Sequence, residues 1–305
     1  MRFIVADWGT SRFRAYVVED GAIVDRVASD EGVSALKPGE HQAVFRRHCG
    51  PWLEANPDAP VLLVGMVGSR EGWVEAPYAT CPAGADDIAR ALMAVDLGDG
   101  RRGHIVPGLA CEPQPGAVDV MRGEETLVLG TGVADGLVCL PGTHPKWVEM
   151  RGGRIERFAT YFTGEMYALL RHHSMVGRPA TEPEDPAGFA LGLEAAQRNR
   201  CGAERRVGLL HLIFGARAAT VTRHLSPAAL GPYLSGLLTG DEIDGAFSLF
   251  DKPATLTVVG APHRAELFAQ ALSRHGVETV FKAPEEALIE GLRRIVGRLD
   301  QARSN

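Results

Sequence analysis

A short polar turn near the start of the chain combines residue types that bind phosphate and metal ions. Asp7-Trp8-Gly9-Thr10-Ser11 connects two apolar stretches that we predict to be strands, where a plain hairpin would need only a glycine and one small polar residue. The backbone N–H groups and hydroxyls of such a turn bind anions. A carboxylate beside phosphate is favourable only if a cation such as Mg²⁺ lies between them, so Asp7 predicts a magnesium site. The alternative is that Asp7 caps the turn and Gly9 relieves backbone strain.

The second half of the chain begins with a similar turn. Gly142-Thr143 follow Gly9-Thr10 by 133 residues, and the next turns, Asp20-Gly21 and Gly152-Gly153, align to within about one residue. We interpret the similarity as an internal repeat, with a chance likeness of two hairpins as the alternative. Two such turns would hold a polyphosphate from both sides. The chain has no G-x-x-x-x-G-K-[ST] motif, so a P-loop is not predicted.

The composition is typical of a globular protein that binds a small molecule. A length of 305 residues exceeds what one hydrophobic core usually organises, so we expect two domains. The formal net charge of −6 argues against a nucleic-acid-binding protein, which usually carries a basic surface. Five scattered cysteines without a C-x-x-C pair are typical of reduced thiols. With no apparent signal peptide or membrane-spanning run, we expect a cytoplasmic protein without a membrane partner.

The elements that must position the two turns alternate between strands and helices, which predicts an α/β fold. Residues 84–95 and 118–130 have helical patterns. The segment 111–118 holds two prolines and a glycine, and we predict that the chain leaves the first domain there. The predicted division therefore gives an N-terminal domain at 1–115 and a C-terminal domain at 116–305.

Six blocks spread over the chain together resemble one family: DWGTSRFRAY, GMVGSREGWVEAPYATCPAG, VPGL, VMRGEETLVLG, CLPGTHPKWVE and FATYFTGEMYALLRHHS. They are similar to blocks of the 2-dehydro-3-deoxygalactonokinase family, sugar-acid kinases of the actin-like, hexokinase-like ATPase superfamily. The resemblance implies a two-domain, ribonuclease H-like α/β fold with a nucleotide cleft between the domains. It also implies ATP- and Mg²⁺-dependent phosphorylation of 2-dehydro-3-deoxy-D-galactonate on its terminal hydroxyl.

The resemblance assigns roles to the two turns. The turn Asp7–Ser11 corresponds to the phosphate-one loop of such kinases and Gly142-Thr143 to the phosphate-two loop. The second turn has Leu140 in the place of Asp7, so magnesium binding is expected from Asp7 and another carboxylate. Lys146, which follows the second turn, is either a phosphate ligand or a solvated lysine at a strand end.

The resemblance also indicates the catalytic base. Related sugar kinases have Gly-Asp at the start of a helix before the phosphate-two hairpin, and the similar place here is Gly123-Glu124. We predict that Glu124 accepts the proton of the substrate hydroxyl, with Glu125 as the rival base or a magnesium ligand. The alternative is that both acids only complement the dipole of the helix. Arg122 either orients the acids, contacts the transferred phosphate or is a surface arginine.

The sugar-acid site is expected in the segment GSREGWVEAPY, which follows a buried strand of the N-terminal domain. Arg70 would pair with the carboxylate of the substrate, because its planar guanidinium matches that group. Ser69 and Glu75 would bind hydroxyls, and Trp73 would cover an apolar face of the sugar. The alternatives are an ion-paired surface arginine and a tryptophan of the core.

The nucleoside is expected on the C-terminal domain, where Gly260-Ala261 resembles the adenosine loop of the superfamily. Any turn from a strand to a helix can need a glycine, so this signal is weak by itself. The expected partners are ATP and a small sugar acid, and a homodimer is one candidate state. Other hypotheses keep the fold but change the activity: a kinase of 2-dehydro-3-deoxygluconate or another sugar, or a non-catalytic nucleotide-dependent regulatory protein.

Overall fold

The structure is a computed structural model that describes residues 1–201 and 207–304. By its internal contacts the chain divides into two compact units. Unit 1 comprises Met1–Val138, Val148–Phe158 and Lys282–Asn305, and unit 2 comprises Cys139–Trp147 and Ala159–Phe281. The predicted boundary after residue 115 lies inside unit 1, and as a division of functional roles it stays a prediction.

The elements follow one another in the order that the alternating pattern predicted, with several differences given below. The strands are β1 (Arg2–Trp8), β2 (Phe13–Glu19), β3 (Ala22–Ser29), β4 (Val61–Val64), β5 (Tyr78–Thr80), β6 (Met93–Gly98), β7 (Arg101–Ile105), β8 (Gly108–Gln114), β9 (Ala117–Met121), β10 (Gly136–Leu140), β11 (Lys146–Arg151), β12 (Arg154–Thr160), β13 (Thr255–Val259) and β14 (Glu278–Lys282). The helices are α1 (His41–Ala55), α2 (Ala85–Arg90), α3 (Glu124–Gly130), α4 (Thr163–His173), α5 (Ala187–Cys201), α6 (Leu209–Val221), α7 (Pro227–Leu249), α8 (Pro262–Ser273) and α9 (Pro284–Ser304).

The central strands of unit 1 are continuous apolar runs. Residues 3–6 of β1 and all four residues of β4 are buried, as expected for parallel strands that are covered on both faces. Helix α1 contributes Val44, Phe45 and Leu53 to the same core. Because β1 and β4 run parallel, with Asp7 opposite Val64, the polar residues that follow both strands lie at one edge of the sheet.

The two larger sheets support the predicted repeat. The first has the strand order β3-β2-β1-β4-β7-β6, and the second has the order β12-β11-β10-β13-β14. Each therefore begins with three consecutive strands, and the strand beside the first of these is the next strand along the chain, after one or more helices. The turn Asp7–Ser11 lies in the first hairpin of one set, and Gly142-Thr143 lies in the first hairpin of the other.

Two predictions about secondary structure around the predicted domain boundary are wrong. The segment 111–118 is part of the hairpin of β8 and β9 and not a linker, and 118–121 is strand and not helix. The physical reason is that the exposure of the side chains alternates along 117–121, with Val118 and Val120 exposed and Met121 buried. In addition, β-branched valines favour strands. The predicted helix at 84–95 likewise ends at Arg90, and its last residues begin β6.

Unit 2 is mainly helical, and glycines let its two longest described helices approach closely. A Cβ built on Gly192 of α5 would lie 2.1 Å from the carbonyl oxygen of Tyr233, and one built on Gly236 of α7 would lie 2.1 Å from that of Phe189. Such distances are far below contact, so both positions need glycine. In the part of the chain that the structure describes, no helix combines the length and apolar character needed to cross a membrane.

Candidate functional site

Hydrogen bonds to backbone groups fix the conformation of the first turn. The N–H of Gly9 donates to the carbonyl of Arg12 at 2.9 Å, while the carbonyl of Gly9 accepts from the N–H of Val33 at 3.0 Å. The carbonyl of Thr10 accepts from the N–H and the hydroxyl of Ser34, at 3.0 and 2.8 Å. With its carbonyls occupied in this way, the turn exposes Thr10 and Ser11 to solvent, as a phosphate-binding turn requires.

Asp7 lies at the end of β1 and is partly buried. Its Oδ2 accepts a hydrogen bond from Nη1 of Arg14 at 2.9 Å. Burial nevertheless raises the pKa of Asp7, because it outweighs the opposite effect of the arginine. Within the described residues, no group of three or more His, Cys, Asp or Glu side chains could hold a metal ion. A Mg²⁺ ion at Asp7 would also take ligands from phosphate and water, as is usual for this ion.

Two glycines bring the end of β1, the end of β4 and the start of α3 into contact. Gly65 has φ of +89°, and a Cβ built on it would lie 3.0 Å from the carbonyl oxygen of Trp8 and 3.8 Å from Oδ1 of Asp7. Gly123 has φ of +103°, and its Cβ would lie 3.3 Å from Cα of Gly65. Residues with side chains rarely adopt these angles. The structure thus brings Asp7 and Glu124 to the same region of unit 1.

The two adjacent acids occupy different environments. Glu124 is partly buried, and its Oε2 accepts from the backbone N–H of Arg122 at 3.1 Å. Glu125 is fully buried; Oε2 accepts from the N–H of Gly123 at 2.6 Å and Oε1 from the hydroxyl of Thr126 at 3.0 Å. Burial, with the charge of Glu124, raises the pKa of Glu125 to about 8. Of the two acids, Glu124 is therefore the more accessible.

The predicted sugar-acid segment is a compact loop after β4. The N–H of Trp73 donates to the carbonyl of Val67 at 2.8 Å, and Arg70 and Glu75 are exposed. The ring of Trp73 packs against the core, with its centroid 6.3 Å from that of Trp8. The hydroxyl of Ser69 is buried and has no hydrogen-bond partner in the structure. The loop therefore presents one exposed cation and one unpaired hydroxyl.

Arg122 is not a surface arginine, which was one of the sequence alternatives. Its Nη2 donates to the carbonyl of Ala76 at 2.9 Å, and its guanidinium carbon lies 4.3 Å from the ring centroid of Tyr78. Its Nε and Nη1 are buried without hydrogen-bond partners. The side chain thus holds β5 and the loop before it next to Glu124.

The second turn is fixed by the start of α4. The N–H of Glu165 donates to the carbonyl of Thr143 at 3.0 Å, and a Cβ built on Gly164 would lie 2.2 Å from the carbonyl oxygen of Gly142. Lys146 is only 4% exposed, and its ammonium donates to the carbonyl of His144 at 2.9 Å. The alternative of a solvated strand-end lysine is therefore wrong.

Unit 2 contains a cavity of about 370 Å³ beside this turn. This volume is within the range of small-molecule sites. Gly142 and Gly164 line one part of it, and His263 and Arg264, at the start of α8, line another. Ala261 is the residue that precedes α8, and a Cβ built on its neighbour Gly260 would lie 3.7 Å from Cδ of Pro141. Of the two nucleotide segments predicted for the second half of the chain, Gly142 lines this cavity, whereas Gly260 and Ala261 precede the helix whose first turn lines it. Its apolar walls are formed by Pro145, Tyr167, Pro186, Phe189, Leu238, Leu267 and Phe268.

One residue of this cavity, Glu242, was missed by the sequence analysis. It is 2% exposed; Oε1 accepts from the indole N–H of Trp147 at 2.8 Å, and Oε2 has no partner in the structure. Burial raises the pKa of Glu242 to about 7, against the lowering effects of the Thr163 hydroxyl and the Trp147 indole. The only sequence signal is an acid within the apolar stretch of α7, which periodicity alone does not mark as functional.

The chain is similar to known sugar-acid kinases. The family model described as 2-keto-3-deoxy-galactonokinase matches residues 7–295. The chain is 35% identical to a Rhizobium meliloti (strain 1021) protein named "Probable 2-dehydro-3-deoxygalactonokinase DgoK1", over 95% of each chain. It is 32% identical to the 2-dehydro-3-deoxygalactonokinase of Escherichia coli (strain K12), over 96% of this chain and 97% of that one.

Solved structures show the same fold. A crystal structure from Sinorhizobium meliloti, named as a candidate 2-dehydro-3-deoxygalactonokinase, superimposes with a TM-score of 0.84 at 30% identity and covers 97% of this chain and 99% of that one. The activator of 2-hydroxyisocaproyl-CoA dehydratase from Clostridium difficile, with bound ADPNP, has a TM-score of 0.50 at 11% identity over 100% and 98% of the chains. The predicted two-domain α/β ATPase fold is confirmed. The chain belongs to the 2-keto-3-deoxy-galactonokinase family.

Proposed function

We propose that the protein is an ATP-dependent sugar-acid kinase that phosphorylates 2-dehydro-3-deoxy-D-galactonate on its terminal hydroxyl. The observation that carries the proposal is the family match over residues 7–295, together with two relatives of that name that align along nearly the whole chain. The contact of Gly65 with Gly123, which brings Asp7 and Glu124 together, supports the roles of these two acids.

Each unit has a turn of its own that would bind phosphate. In unit 1, the turn of Gly9, Thr10 and Ser11 would bind phosphate through its backbone and hydroxyls. Asp7 would hold Mg²⁺, directly or through water, and the ion would neutralise charge on the phosphates when bound. The partly buried carboxylate at the end of β1, fixed by Arg14, fits this role.

In unit 2, the turn at Gly142-Thr143 would bind phosphate, and the cavity that it lines would hold the nucleoside. Gly260 and Ala261 would be close to that nucleoside, because they lead directly into α8, whose first residues line the cavity. The apolar walls of the cavity suit a purine base.

The chemical step needs a base for one proton. Glu124 would accept the proton of the terminal hydroxyl while the hydroxyl oxygen attacks the γ-phosphorus, and the bond from that phosphorus to the ADP oxygen breaks. Glu125 is the weaker candidate for base, because its side chain is fully buried and both oxygens are engaged by Gly123 and Thr126. Ser69, Arg70, Trp73 and Glu75 stay predictions as substrate-binding residues.

The experiment is an ADP-release assay with purified 2-dehydro-3-deoxygalactonate and its gluconate epimer, with ³¹P NMR to locate the transferred phosphate. We expect release with the galactonate derivative and a phosphate on its terminal oxygen. Preference for the gluconate epimer would change the substrate but keep the reaction. Absence of ADP release with both acids, while ADP still binds, would favour the regulatory hypothesis. That the protein works in the cytoplasm, as a monomer or a homodimer, stays a prediction.

A further inference from the structure

We infer that Oε2 of Glu242 accepts a hydrogen bond from a donor of the nucleoside and so contributes to nucleotide affinity and selectivity. The inference rests on the proposed function, because it takes the cavity of unit 2 as the nucleoside site. It adds a residue that neither the sequence motifs nor the two phosphate turns indicate.

The first step is the position of Glu242 on its helix. The residues of α7 that line the cavity are Pro232, Ser235, Leu238, Thr239 and Glu242. They recur every three or four residues, so one face of α7 forms this wall. Glu242 lies at the C-terminal end of that face and lines the same space as Gly142, the first residue of the second phosphate turn.

The second step is the state of its two oxygens. Oε1 is held by the Trp147 indole at 2.8 Å, whereas Oε2 is buried and makes no hydrogen bond of normal geometry, although the Thr163 hydroxyl in the same cavity lining is close enough to lower the pKa of the carboxyl group. A buried polar atom without a partner costs free energy, so such atoms in native proteins are rare and often indicate a missing ligand. Because the protein uses one oxygen and Glu242 lines the cavity, the other oxygen is available to an occupant.

The third step is the chemistry of that occupant. A carboxylate repels phosphate, so Glu242 cannot face the triphosphate unless a cation intervenes. A nucleoside, by contrast, carries neutral donors in its ribose hydroxyls and, for adenine, in its exocyclic amino group. The apolar walls that include Tyr167, Leu267 and Phe268 suit the faces of a base. A hydrogen-bond donor on the nucleoside is therefore the partner that matches Oε2.

The test compares Glu242→Gln with wild type in calorimetric titrations of ADP without sugar acid. Glutamine keeps an oxygen for Trp147 but replaces the second acceptor by a donating NH₂ group. Loss of one hydrogen bond to this carboxyl group predicts a weakening of ADP binding by about tenfold. The KM for ATP should rise by a similar factor, with the KM for the sugar acid within twofold. Asp241→Asn is the matched control, because it makes the same acid-to-amide change at the neighbouring exposed position, outside the cavity lining.

Nucleotide analogues identify which donor is involved. If the adenine amino group is the donor, wild type should disfavour IDP, which has a carbonyl oxygen at that place, and Glu242→Gln should reduce or reverse the preference. If a ribose hydroxyl is the donor, 2′-deoxy-ADP or 3′-deoxy-ADP should bind wild type about tenfold more weakly than ADP does, with little further loss in Glu242→Gln. If Glu242→Gln does not fold, the affinities of the wild-type protein for ADP and for these analogues still test the inference.

Two outcomes overturn the inference. One is equal ADP affinity of Glu242→Gln and wild type, and the other is wild-type binding that none of the three analogues changes. Either would leave the proposed kinase function intact, since wild-type ADP release tests that function separately. A wild-type protein that does not bind ADP at all would overturn both.

Discussion

The buried acid Glu125 gives a prediction whose size follows from the structure. Its carboxyl group is fully buried, and its pKa is raised from 4.5 to about 8. At a pH between these two pKa values, Glu125 has released its proton in the unfolded chain but still holds it in the folded protein. The unfolded state therefore binds fewer protons, and the free energy of unfolding falls as the pH rises through this window.

The linkage relation gives the magnitude. For a single group with these two pKa values, the loss of stability between pH 5 and pH 8 is on the order of 3 kcal/mol. Glu125→Gln removes the titration, and its amide can still accept from the N–H of Gly123. The variant should consequently gain stability relative to wild type by about that amount over the same range.

The assay is urea-induced unfolding of wild type and Glu125→Gln at pH 5, 6, 7 and 8. Glu54→Gln serves as the control, because Glu54 is an exposed acid in the same unit. The difference in the free energy of unfolding between this variant and wild type should change little with pH. A difference between Glu125→Gln and wild type that does not change with pH would refute the reasoning. It would mean that the pKa of Glu125 is nearly the same in the folded and the unfolded protein.

Two further predictions concern the turns of unit 1. Gly65→Ala should lower the free energy of unfolding by about 1–3 kcal/mol, because it combines a positive φ with a Cβ 3.0 Å from the carbonyl oxygen of Trp8. The control is Gly276→Ala, where φ is also positive but nothing lies within 4 Å of the added Cβ, so the loss of stability should be smaller. Equal losses for the two variants would contradict the close approach at Gly65. Asp7→Asn should raise the Mg²⁺ concentration needed for half-maximal turnover by on the order of tenfold, because the neutral amide is a weaker ligand for a hard cation; an unchanged Mg²⁺ titration would remove Asp7 from the metal site.

The parts of the fold that were predictable depend on local signals. The hairpin around Gly9 and its counterpart around Gly142 combine alternating apolar residues with turn residues, which define short elements without help from the rest of the chain. The buried strand before the predicted sugar-acid segment, observed as β4, was equally clear. At 118–121 an alternating pattern runs directly into a helical one, so the predicted helix covers both, whereas the structure has a strand followed by α3. Gly123, with its φ of +103°, is the residue that separates them.

The site was predictable only where a motif carries the chemistry. Asp7, Thr10 and Ser11 were found because their types and spacing suit phosphate and magnesium. Glu242 was not found, since its unpaired oxygen depends on a contact with Trp147 that is 95 residues away in the sequence. Burial of this kind is a property of the packed structure, and a single sequence does not reveal it.

The central claim is that Glu124 is the base of a sugar-acid kinase, and the turnover number of Glu124→Gln tests it most directly. With saturating ATP and 2-dehydro-3-deoxygalactonate, kcat should fall by about 10²–10⁴-fold, because glutamine cannot accept the proton. ADP affinity should be unchanged, and Glu125→Gln, measured alongside, should stay within a few-fold of wild type. A Glu124→Gln protein that turns over at the wild-type rate would contradict the claim.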